Sequence, residues 1–174
     1  FFSCEKNLMK FLVNESSIYK KSIIKKNNLD YNVIFETSDN NKIHFTDLIS
    51  LENFEKETLL NLIKNKKIFF LLIIWTENTF IAIADQVASY NILYEKKKDN
   101  THIYLNRPKN FTINKNTAEE IYFSGYTINN HTLFQNIKSL LPGELLFITK
   151  DKFELQKWND YQPSYLPFSK NDLD

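Results

Sequence analysis

Eight consecutive apolar residues, "IFFLLIIW" at 68–75, constrain this chain more than any other stretch. The run is too short to cross a bilayer as a helix, which takes about 20 residues. Its β-branched and aromatic make-up points to a strand. A strand with one wet face alternates apolar and polar residues. This one does not, so both of its faces must be covered, as in the inner strand of a layered sheet. Four polar residues, Thr76-Glu77-Asn78-Thr79, separate it from a second such run, "FIAIAD" at 80–85, and suit a hairpin loop.

The remaining segments supply partners for these strands. Residues 31–45, "YNVIFETSDNNKIHF", read as a hairpin turning at 38–41. Leu48, Leu51, Leu59, Leu62 and Ile63 follow at spacings compatible with a helix face, with Thr46 or Asp47 placed to cap its start. "NILYE" and "HIYLN" flank residues 96–101 as a second hairpin. Thr117 and Glu120 form a capping box for a short helix that stops at Gly125. Pro142-Gly143 is a turn pair leading into a third hairpin, "ELLFITKDKFELQKW". Near the start, Phe11, Leu12 and Val13 suit a short strand, whereas Leu8, Phe11 and Leu12 suit a helical stripe; the period leaves both open. No β-α-β alternation occurs, which excludes a doubly wound parallel sheet. The expected class is α+β, with helices outside a pair of antiparallel sheets.

A chain of 174 residues with 43% hydrophobic and 15% aromatic content supports one domain with a sizeable core. Twenty-two basic residues balance 21 acidic ones, so the charge gives no nucleic-acid footprint. The lysine clusters at 20–21, 25–26 and 96–98 are read as solvated faces. A single cysteine, Cys4, leaves no intramolecular disulfide, and His44, His102 and His131 lack metal-ligand spacing, so no metal site is expected. The only glycines are Gly125 and Gly143, which excludes the glycine-rich phosphate loops of common nucleotide-binding folds. The basic and apolar regions of a signal peptide are absent from the first residues, and a cytoplasmic location is expected.

Four blocks in order carry a family resemblance. "IFFLLIIW" is similar to a strand written G-x-F-A-x-A-[IL]-[YW]-D. "FIAIADQVASYNILYE" is similar to L-x-x-A-R-D-x-x-G-x-x-P-L-Y-Y, with Asp85 on the strand-end aspartate and Leu93-Tyr94 on the L-Y pair. "TAEEIYFSGYTINNHTLFQNIKSLLPGELLFI" is similar to a short helix ending in L-x-x-G-Y, then T-[LI]-[FY]-x-x-I-x-x-[LV]-x-P-G-x-x-L, which aligns Gly125, Pro142 and Gly143. Lys157-Trp158 stands where the pattern closes on an aromatic pair. Over roughly 66–160 the chain resembles the N-terminal class II glutamine amidotransferase domain of the asparagine synthase family. Ala88 or Ser89 stands near that pattern's glycine, and Asn91-Ile92 replaces its proline. Asp85 reads as a cap on the turn, its side chain bonding backbone N–H groups in place of the missing glycine's freedom.

The resemblance implies an αββα sandwich of the N-terminal-nucleophile hydrolase type, a glutaminase-like domain over 1–158 and a linker over 159–174. It also implies what to look for as chemistry. In such glutaminases an N-terminal cysteine thiolate attacks glutamine while its own α-amine acts as base. Cys4 lies behind Phe1-Phe2-Ser3, so it is expected to serve only if those residues are removed. The arginine-bearing and N-G-E-like segments that hold glutamine have no counterpart before residue 66. Asp47 alone occupies a spacing before Trp75 like that of the acidic residue that binds the substrate's α-amine, although it reads more readily as a helix cap after Phe45-Thr46. The expectation is a glutaminase-like domain without glutaminase activity. Its partner would be an asparagine-synthase-type, ATP-dependent amide-forming domain, on the same or a separate chain, as in asparagine synthetases, β-lactam synthetases or lasso-peptide cyclases. ATP and magnesium would belong to that domain, with no cofactor in this chain, no nucleic acid and no membrane partner. The alternatives are an active amidotransferase after processing and a free-standing protein-binding module.

Overall fold

The computed structural model describes residues 10–14, 19–37, 45–64, 69–98 and 100–159. Thirteen elements follow one another: β1 (Lys10–Asn14), β2 (Lys21–Lys26), β3 (Leu29–Thr37), α1 (Phe45–Ser50), α2 (Lys56–Ile63), β4 (Phe70–Trp75), β5 (Thr79–Ala84), β6 (Leu93–Lys96), β7 (Asn100–Tyr104), α3 (Lys115–Ser124), β8 (Lys138–Ser139), β9 (Glu144–Thr149) and β10 (Phe153–Lys157). They build an α+β fold of two sheets. One has six strands in the order β10-β9-β5-β4-β3-β2, the other four in the order β1-β7-β6-β8. Every pairing is antiparallel except β1 with β7, which run parallel with Leu12 opposite His102. The expectation of purely antiparallel sheets is corrected at that one edge. The partner strand lies too far along the chain for any local signal to show it.

β4 sits between β3 and β5, and its unbroken apolar run is explained by what covers it. Phe70, Leu72 and Ile74 join Ile81 and Ile83 of β5 and Leu145 of β9 on the face packed by Leu48 of α1, by Phe54, and by Leu59, Leu60 and Ile63 of α2. Leu71 and Ile73 join Phe80, Ala82, Ala84, Leu146 and Ile148 on the other face, against Tyr94 and Ile103 of the four-stranded sheet. Each such side chain contributes about 1.5–3 kcal/mol when fully buried. The run therefore binds two layers at once. β9 splits in the same way, with Leu145 in one cluster and Leu146 in the other, so the last hairpin is integral to the large sheet.

Three local expectations are corrected. The first hairpin turns at Asn27-Asn28, both with positive φ (49° and 61°), and joins β2 to β3. Two left-handed residues in a two-residue loop give the turn that matches strand twist, and asparagine tolerates that conformation well. The turn expected at 38–41 lies outside the described residues; β3 pairs onward with β4, and Phe45 already belongs to α1. The helical segment is broken into α1 and α2, and Asp47 falls inside the first turn of α1 instead of before it. α3 is capped by Asn114, whose Oδ1 accepts from Thr117 N at 3.4 Å, three residues ahead of the expected cap. Its C-terminus closes on Gly125 at φ 81°, whose N–H donates to Ile121 O at 2.8 Å. Of α3's residues only Thr117 is buried, so this helix adds little covering compared with α1 and α2.

Candidate functional site

The matched motif blocks meet at one end of the six-stranded sheet. β5 ends at Ala84, and Asp85 is fully buried. Its Oδ2 accepts from Phe70 N at 3.0 Å, at the start of β4. Its Oδ1 accepts from Val87 N at 2.9 Å, and Ser89 N donates to both oxygens at 3.2 and 3.3 Å. The Asp85 carbonyl accepts from Ala88 N at 3.3 Å and from Gly143 N at 2.8 Å. Ala88 takes φ 52°, the left-handed conformation a glycine would adopt most easily. A carboxylate enclosed by three backbone donors and shut off from solvent is a structural clamp, with no open lone pair facing a substrate.

Gly143 and Trp158 complete the junction. Gly143 has φ 68°, and a Cβ there would lie 2.2 Å from the Asn159 carbonyl oxygen. Its own carbonyl accepts from Trp158 N at 2.8 Å and Asn159 N at 3.3 Å. Trp158 Nε1 donates to Ala84 O at 3.0 Å, and its ring lies 6.4 Å from that of Phe70. Asn159, expected to begin a linker, is thus tied to the fold. The following residues lie outside the described set.

The other sequence-selected residues are dispersed. Leu93 and Tyr94 begin β6 and point to opposite faces. Tyr94 enters the core between the sheets, 5.9 Å from the Phe153 ring, and burial followed by the nearby Glu144 charge raises its phenol pKa. Gly125 serves as the cap of α3, and Pro142 precedes the Gly143 turn. Asp47 is half-buried on α1 beside Leu48, which packs on the helix-covered face; Trp75 packs on the opposite, inter-sheet core. Cys4 lies outside the described residues. Among the described residues, no three His, Cys, Asp or Glu side chains cluster as metal ligands would, and no helix is long and apolar enough to cross a membrane.

Sequence reading missed a polar cleft on the four-stranded sheet. It has a volume of about 620 Å³ and is floored by Glu95 of β6 and Tyr104 of β7. Tyr104 OH donates to Glu95 Oε2 at 3.1 Å, lies 3.3 Å from His102 Nδ1, and Lys97 Nζ sits 3.3 Å from the same carboxylate oxygen. Burial, then the hydrogen bond to Glu95, pushes the Tyr104 phenol up to about 12. The available signal was strand alternation, which puts Glu95 and its partner His102, with Tyr104 two residues on, on one face.

No family model matches this chain, and no curated protein matches it. Among solved structures it is similar to glutamine phosphoribosylpyrophosphate amidotransferase from B. subtilis, complexed with ADP and GMP, at 13% identity and a TM-score of 0.47, covering 78% of this chain and 30% of that one. A structure of the allosteric regulatory enzyme of purine biosynthesis matches at 12% identity and a TM-score of 0.47, covering 80% and 31%. The chain spans less than a third of the length of either protein.

Proposed function

We propose that this chain is a glutaminase-type domain that has lost glutaminase chemistry and serves an asparagine-synthase-type, ATP-dependent amide-forming enzyme. Its role is to pack against the synthetase domain and shape the substrate entrance; ATP and magnesium are held there. The observation that carries this reading is the junction at Asp85. Three separately matched blocks, the strand-end aspartate, the Pro-Gly turn and the closing tryptophan, lock together through Gly143 N to Asp85 O and Trp158 Nε1 to Ala84 O. Blocks matched by chance have no reason to interlock in space.

The loss of chemistry is supported by residue types. The single arginine, Arg107, lies over the Phe111 ring and outside the segment where the resemblance places the glutamine clamp, and residues 1–124 contain no glycine for a turn beside the substrate. A free-standing protein-binding module is the second reading, favoured by Tyr122 and Phe123 of α3, which are 84% and 83% exposed.

The test is ammonia release from glutamine by the purified chain, beside its Cys4→Ala variant. Both should match the no-enzyme background. Hydrolysis that vanishes in Cys4→Ala would refute the loss of activity. An S-G-G-x-D-S segment, downstream in the same reading frame or in a co-purifying chain, separates the synthetase reading from the binding module.

A further inference from the structure

The polar cleft on the four-stranded sheet does not stop at Tyr104. A second cleft of about 460 Å³ adjoins it and shares Glu95, Lys97 and Asn136. Together they form one furrow, lined by Lys109 and Phe111 in the first cleft and by Lys138 and Phe153 in the second. Its charge is lopsided. Lys96, Lys97, Lys109 and Lys138 line it against the single carboxylate of Glu95, whereas the whole chain carries only +1.

That one carboxylate is already engaged by Tyr104 and Lys97. Lys96 lies over the Phe153 ring at 4.5 Å, while Lys109 and Lys138 have no ion-pair partner among the described residues. Unpaired ammonium groups around a concave surface concentrate anions. Lysine meets phosphate as a point charge, without the planar two-pronged match that arginine makes with carboxylates. Each of the two clefts has the volume of a small-ligand site, commonly about 300–1,000 Å³. Asn110 and Gln135 offer amides for the uncharged part of a ligand, while Phe111, already stacked under Arg107 and against Phe134, forms a fixed wall.

We infer that this furrow is a binding site for a phosphorylated small molecule, with Lys109 and Lys138 holding phosphoryl oxygens. The assignment is independent of the glutaminase-type reading.

Calorimetric titration of the full chain at low ionic strength tests it, with pyrophosphate as the probe. Binding should saturate, and Lys109→Glu with Lys138→Glu should weaken it at least about tenfold, as expected for losing charge-assisted hydrogen bonds. Lys20→Glu with Lys64→Glu makes the same change in net charge away from the furrow and should leave affinity within about twofold, since distant exposed charges are screened. If the first pair fails to fold by circular dichroism, Lys109→Ala with Lys138→Ala gives the same readout. Absence of saturable binding, or equal weakening in both pairs, overturns the site. So does binding to phosphatidylserine vesicles without binding to pyrophosphate, which would mark a membrane headgroup surface.

Discussion

Replacing Asp85 by alanine tests the junction on which the fold and the functional reading both rest. Its carboxylate accepts from Phe70, Val87 and Ser89, and the residue has no exposed surface. The three donors do not weigh equally. Phe70 is 1% exposed, so its N–H would be left buried without a partner, at a cost of about 1–3 kcal/mol. Val87 is 48% exposed and Ser89 is also exposed, so water can replace their bonds and each loses only about 0.5–1 kcal/mol. Removing a buried acidic group also recovers part of its desolvation cost, which offsets some of the loss. The net expectation is a destabilisation of about 3 kcal/mol. For a chain of this length that lowers the melting temperature by about 6–12 °C. Asp85→Asn keeps one oxygen and should lose about half as much. Urea unfolding followed by circular dichroism measures both. An unchanged midpoint for Asp85→Ala would refute the clamp.

Gly143→Ala should cost about 3 kcal/mol, because a Cβ at left-handed φ must displace backbone at Asn159; a melt unchanged from the parent would show that 158–159 is not docked. Tyr104 keeps its proton to about 12 when folded, against 10.0 for the free phenol, so between those values the unfolded chain is the more ionised and stability falls as pH rises. Tyr104→Phe should flatten that fall between pH 10 and 12, measured as the difference in urea midpoints between the two proteins; identical pH profiles would contradict the raised phenol pKa, which burial causes first and the Glu95 bond second.

The legible parts of the fold were those whose signal is local. The runs at β4 and β5 announced an inner strand because nothing polar interrupts them, and the structure covers both faces of each. The turn at 27–28 was missed because β2, "KSIIKK", buries only Ile24 and reads as a lysine-rich loop. Those lysines suit an edge strand, where charge deters further pairing. At α3 the Thr117-Glu120 pattern outweighed Asn114, yet Thr117 is buried and Glu120 reaches outward to Ile128 N and His131 at 3.4 Å. The furrow was illegible for another reason. Glu95, Tyr104, Phe111 and Asn136 come from separate segments, and nothing in any one of them marks a ligand.

The turn after β5 shows how a glycine-poor chain keeps sharp corners, and it yields one further expectation. Among the described residues, four of the five non-glycine residues with positive φ are asparagines, Asn27, Asn28, Asn129 and Asn136, whose side chains tolerate that region. Ala88 is the exception. An alanine in the left-handed region costs roughly 1–2 kcal/mol, so something else must hold it. Asp85 does so from three sides, with its carbonyl on Ala88 N and its carboxylate on the residues before and after. The aspartate therefore supplies through hydrogen bonds what a glycine at this point would supply through backbone freedom. Ala88→Gly should relieve the strain but raise the entropy of the unfolded chain by up to about 1 kcal/mol, leaving a net gain of about 0.5–1 kcal/mol. The same substitution in the Asp85→Ala background should gain less than in the parent, since a turn no longer pinned can relax the alanine by itself. Thermal melts of the four proteins give the cycle. A loss of stability in Ala88→Gly of the size seen for glycine inside a regular helix, about 1 kcal/mol, would mean that the turn carries no strain at Ala88 and that Asp85 holds something else.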